Sequence, residues 1–86
     1  MTGIKWLAKE PTIGFRGKVT GFHFEVSKER NGKTAVNGCA VILGSDQIYD
    51  QSYWTDEKID EYAEEVFIQQ NLDENLEHDL ANMENA

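Results

Sequence analysis

Along the first half of the chain apolar residues alternate with polar ones; along the second half they recur every three to four positions. Ile13, Phe15 and Val19 share one parity, and Phe22, Phe24 and Val26 share the other, with the switch at Thr20-Gly21. Alternation marks a strand with one buried face, and a change of parity requires a bulge or bend, for which glycine supplies the backbone freedom. One long strand over residues 12–28, bulged near Gly21, is expected. Asn31-Gly32 follows, the dipeptide best suited to a two-residue hairpin turn because both positions tolerate positive φ. Beyond it, Cys39-Ala40-Val41-Ile42-Leu43 is an unbroken apolar run within residues 34–43. Such a run marks a strand covered on both faces and predicts that this strand is central. Gly44-Ser45-Asp46 reads as a turn, and Gln47–Tyr53 as an edge strand paired to the preceding one. Ile4, Trp6 and Leu7 fit either a short helix or an extra strand before Pro11.

Thr55 opens the second half as a helix N-cap, with Asp56 and Glu57 where the positive end of the helix dipole favours acids. Ile59, Tyr62, Ala63 and Val66 follow the i, i+3, i+4, i+7 spacing of one buried face. Ile68, Leu72, Leu76, Leu80 and Met83 form a second apolar strip, rotated on the order of 100° from the first. Two readings fit. Either the helix breaks near Asn71 and a second helix folds back on the same core, or Ile68, Leu72, Leu76 and Leu80 make a homodimer or partner contact. The predicted fold class is α+β, one domain over residues 1–86. It comprises an antiparallel meander of three to four strands (12–53) with an amphipathic, acidic C-terminal helical part (55–84) across one face. Phe15, Phe22, Phe24, Val36, Val41, Leu43, Ile59, Tyr62, Ala63 and Val66 are the expected core. The other sheet face needs cover from the Trp6-Leu7 segment, Trp54 or a second subunit.

Charge divides the chain at the same place. Residues 1–50 hold seven Lys or Arg and five Asp or Glu, whereas residues 51–86 hold one Lys against eleven acids, and the whole carries −8. That balance argues against direct binding of nucleic acid or an anionic membrane and favours a protein partner with a basic surface. No apolar run has the length of a signal peptide or a membrane span, and Cys39 is the lone cysteine. A cytoplasmic, reducing setting is therefore expected.

Within the helical half the doublets Asp56-Glu57, Asp60-Glu61 and Glu64-Glu65 repeat every four residues. At a rise of about 1.5 Å per residue they set one carboxylate per roughly 2.5 Å, approaching the one charge per roughly 1.7 Å of duplex DNA. The pattern fits a docking surface for a basic partner, including one that imitates a nucleic-acid backbone; it also fits a solvated face that keeps a small protein soluble. No catalytic, metal or cofactor site is expected. Cys39 lies in an apolar run with no histidine nearby, His23 alternates with Phe22 and Phe24, His78 follows Glu74 by one helical turn, and Gly14, Gly17 and Gly21 match no phosphate-binding spacing. The expected function is a non-enzymatic interaction protein that binds a basic protein surface through its acidic helix, with inhibitors or nucleic-acid mimics of the kind mobile elements encode as one context. The alternative is a structural or accessory subunit that oligomerises through apolar helix and sheet surfaces. Were residues 3–10 helical, the order helix, three strands, helix would be similar to that of double-stranded RNA-binding domains. The basic cluster those domains carry at the start of the last helix is replaced by Asp56-Glu57-Lys58-Ile59-Asp60-Glu61, so membership is not claimed.

Overall fold

The computed structural model describes residues 3–85. Strand β1 (Ile4–Ile13) leads through a tight turn into β2 (Lys18–Arg30), which is followed by β3 (Lys33–Ile42), the short β4 (Tyr49–Asp50), and helices α1 (Asp56–Gln69) and α2 (Leu72–Glu84). The architecture is α+β: an antiparallel four-stranded sheet built on a β1-β2-β3 meander, with both helices on one face.

Residues 4–13 are strand, so the helix-first order considered from sequence does not hold. The expected strand over residues 12–28 is two strands. Arg16 and Gly17 adopt positive φ of 60° and 73°, which turns the chain back on itself before β2 begins at Lys18. Phe15 therefore sits on this turn, 80% exposed, and is not core. The bulge lies where the parity switch put it: Thr12 pairs with Gly21 and Ile13 with Val19, leaving Thr20 as the extra residue. Gly21 is fixed by space as well, because a Cβ there would collide with the Val41 carbonyl oxygen. Asn31 and Gly32, at φ of 54° and 77°, close a two-residue hairpin with Arg30 opposite Lys33.

The central strand is β2, not β3. The register sets Ala35, Cys39 and Val41 toward the helices opposite Lys28, Phe24 and Phe22, while Val36, Ala40 and Ile42 point to the other face. Val36 and Ile42 are 53% and 91% exposed, so the apolar run that suggested two-sided cover has cover on one side only. β4 pairs with Lys18 and Val19 of β2 rather than with β3. Ile13 already occupies the other side of Val19, so β4 continues the track that β3 leaves at Ile42.

Two apolar clusters lie in series along the sheet. In α1, Ile59, Ala63 and Val66 pack on Val19, Phe22, Phe24 and Leu43. The helix starts where expected, with the Thr55 hydroxyl accepting from the Lys58 N–H at 3.3 Å. It ends at Gln69, and two residues on Asn71, with a left-handed φ of 52°, redirects the chain and resets the helical phase. Leu72, Leu76 and Leu80, each no more than 1% exposed, then pack with Val26, Ala35 and Phe67. Of the four residues offered as a dimer contact, three are thus buried within the chain itself. These three leucines are consumed by the chain's own sheet, and Ile68, 72% exposed on the last turn of α1, stands apart from them.

Laid end to end, the two clusters make a bar of 48 × 19 × 17 Å with a radius of gyration of 14.8 Å. A compact chain of this length would measure about 12 Å.

Candidate functional site

All six carboxylates of the doublets, Asp56, Glu57, Asp60, Glu61, Glu64 and Glu65, are exposed on α1. At about 100° per residue they form two rows rather than one stripe. Asp56, Asp60 and Glu64 run along the side of the helix nearer β1, where the Lys9 ammonium meets Asp60 at 2.9 Å. Glu57, Glu61 and Glu65 run about 100° further round the helix, with Glu61 and Glu65 beside Lys58 and Tyr62. Among the described residues, Asp60 is the only one of the six in an ion pair.

The acids of α2 are arranged differently. Lys28 reaches Asp73 at 3.1 Å and also pairs with Glu77; Arg30 pairs with Glu77 and with Glu84 at 2.9 Å. Lys33 donates to the Met83 carbonyl at 2.8 Å, satisfying a backbone acceptor at the negative end of the helix. Hydrogen bonds from Lys28 and Arg30 hold the Glu77 carboxyl below its usual range, and hydrogen bonds to Glu77 and Asp73 hold the Lys28 ammonium above its own. Three of the seven basic residues of the first half of the chain, Lys28, Arg30 and Lys33, are thus spent on α2, and one, Lys9, on α1. The sequence showed the charge imbalance but not this partition, because the partners lie 45–54 residues apart.

Beside the outer row of α1 lies a cleft of about 220 Å³ lined by Tyr53, Trp54, Lys58, Glu61, Tyr62 and Glu65. Tyr53 and Trp54 meet edge to face at 5.4 Å, Trp54 and Tyr62 lie 5.6 Å apart, and Tyr49 packs on Tyr53 at 4.2 Å. The Lys58 ammonium sits 3.7 Å from the centre of the Tyr53 ring. Burial raises the Tyr62 phenol above its usual range, and the neighbouring Glu65 charge adds to the shift. Sequence reading misses this cleft: it gives Tyr53 to a strand and Trp54 to sheet cover, and nothing local places them against Glu61 and Glu65, about two and three helical turns further on.

The remaining candidates are accounted for by packing or by solvent. Burial raises the Cys39 thiol above its usual range, disfavouring the thiolate. His23 Nε2 and Glu25 Oε1 lie 2.8 Å apart on the open sheet face. On that face Leu7 is 46% exposed and lines one groove with Val36, Ile42 lies six residues further along the sheet, and no helix among the described residues covers them. A groove there, lined by Lys5, Leu7, Ser27, Glu29, Thr34 and Val36, carries one charge of each sign. No helix among the described residues is long and apolar enough to cross a membrane. Comparison with protein-family models, with curated proteins and with solved structures found no match.

Proposed function

We propose that this is a non-enzymatic interaction protein that binds a basic protein surface through the outer face of α1. The observation that carries the reading is the unequal treatment of the two helices: α2 has three of its five acids, Asp73, Glu77 and Glu84, clasped by Lys28 and Arg30, whereas α1 keeps five of its six carboxylates without an ionic partner among the described residues. Like charges one turn apart destabilise a helix by a few tenths of a kcal/mol per pair, a cost that interleaved lysines would avoid. Surface carboxylates held at this density attract Lys and Arg side chains over roughly a Debye length, about 8–10 Å at physiological salt, and so raise the rate of productive encounter. A nucleic-acid-handling enzyme, whose phosphate-binding surface presents such side chains, is a partner of suitable chemistry.

Changing Asp60, Glu61, Glu64 and Glu65 together to Gln tests the reading. Capture of the native host's partner, identified by mass spectrometry with the unmodified chain, is expected to be lost while the thermal midpoint is unchanged or slightly raised. Retained capture would reduce the acidic face to a solubilising one. A second reading, an accessory subunit that oligomerises through apolar surface, is favoured by the uncovered Leu7, Val36 and Ile42. Ionic strength separates the two: a complex made by α1 weakens steeply as salt rises, and one made by the open sheet face does not.

A further inference from the structure

We infer that the cleft beside the outer row of α1 seats one arginine side chain of the basic partner, its guanidinium stacked on Tyr53 and paired with Glu61 and Glu65. The inference rests on the reading of α1 as a docking face and adds the residue type recognised.

Four observations converge on it. At about 220 Å³ the cleft falls below the 300–1,000 Å³ of about the usual small-molecule pocket, and is scaled to a side chain. Its walls combine two carboxylates one helical turn apart with three aromatic rings, and no Lys or Arg pairs with either carboxylate among the described residues. The Tyr53 ring already takes a cation on its face, since the Lys58 ammonium lies 3.7 Å from its centre. Tyr53 remains 38% and Tyr49 43% exposed, so the aromatic corner is open to a partner. Arginine fits these walls better than lysine. Its flat guanidinium can stack on a ring while its fork of N–H donors addresses two carboxylates, whereas an ammonium is a strongly hydrated point charge. Lys58 then acts as a placeholder that swings toward solvent when the arginine enters. The inner row of Asp56, Asp60 and Glu64 lies outside the cleft, and there Asp60 already meets the chain's own Lys9, which sits 4.9 Å over the Trp6 ring.

Nona-arginine and nona-lysine carry equal charge, so titrating each at low salt, with Trp54 fluorescence or the NMR signal of its indole N–H as the probe, separates stacking from attraction. The unmodified chain is expected to prefer nona-arginine by about three- to fivefold, the scale of one exposed cation–π contact. Tyr53→Leu should abolish the preference while retaining nona-lysine binding, and Tyr53→Phe should keep it. Lys58→Gln should raise nona-arginine affinity more than Lys5→Gln, which removes the same charge from the open sheet face. A preference that survives Tyr53→Leu overturns the assignment of the cleft and leaves the docking face standing. Failure of both peptides to bind the unmodified chain overturns the docking face itself.

Discussion

Whether an apolar residue in this chain is structural depends on which side of a single-layer sheet it occupies, not on its hydrophobicity. Leu76 is fully buried between β2 and β3 sides of the second cluster, whereas Phe15, a larger apolar residue, rides the turn before β2 at 80% exposure. Leu76→Ala is expected to cost about 2–5 kcal/mol in denaturant unfolding, and Phe15→Ala no more than about 0.5 kcal/mol. Equal losses would mean that the turn at Gly14–Gly17 is packed against something in solution. The contrast also marks what residue types alone could tell. Thr55, Asn31-Gly32 and Gly21 announced a cap, a turn and a bulge because each solves a local backbone problem. Phe15 falls on a turn that the positive φ of Arg16 makes and its side chain does not announce, whereas the two-residue turn at Asn31-Gly32 pairs Val36 with Ser27 and so sets it on the face opposite Phe24 and Val26.

At the scale of elements, the change of apolar phase beyond Ile68 was legible, and its cause is the left-handed Asn71 that separates α1 from α2. The apolar run at Cys39–Leu43 misled for the opposite reason: Ala40 and Ile42 make β3 look two-sided although the helices lie on one face only. What fixes α2 to the sheet beyond its three leucines is the clasp of Lys28 and Arg30 on Asp73, Glu77 and Glu84, and this makes it sensitive to acid. The folded protein holds the Glu77 carboxyl below its unfolded value, which is about 4.3 for a free glutamate. Its stabilising contribution is therefore present above that value and lost as pH falls through the lower, folded one. Lys28, raised in the folded state, contributes below its unfolded value of about 10.4 and loses that contribution only as pH rises through the folded one. Glu77→Gln should lower the thermal midpoint at pH 7, and the deficit should close as both proteins are taken to about pH 3. A deficit independent of pH would show that packing, not charge, is what the substitution removes.

Across the whole molecule, the two clusters are bridged by Trp6 and Cys39, which touch both, and by Phe67, which extends from α1 into the second cluster. Native-state hydrogen exchange should accordingly resolve two groups of amides, one in α1 with the early part of β2 and one in α2 with its later part. On acidification the second group is expected to lose protection first, because its clasp opens while like-charge repulsion within α1 is relieved. Identical protection at every pH would indicate one cooperative unit. The serial arrangement has one more consequence. With five of the unpaired acids gathered on the helix at the β4 end and the clasped ones at the hairpin end, the 48 Å bar is an electric dipole as well as an anion. In the field of a cationic partner such a body feels a torque before it feels a contact, and arrives with its acidic pole leading.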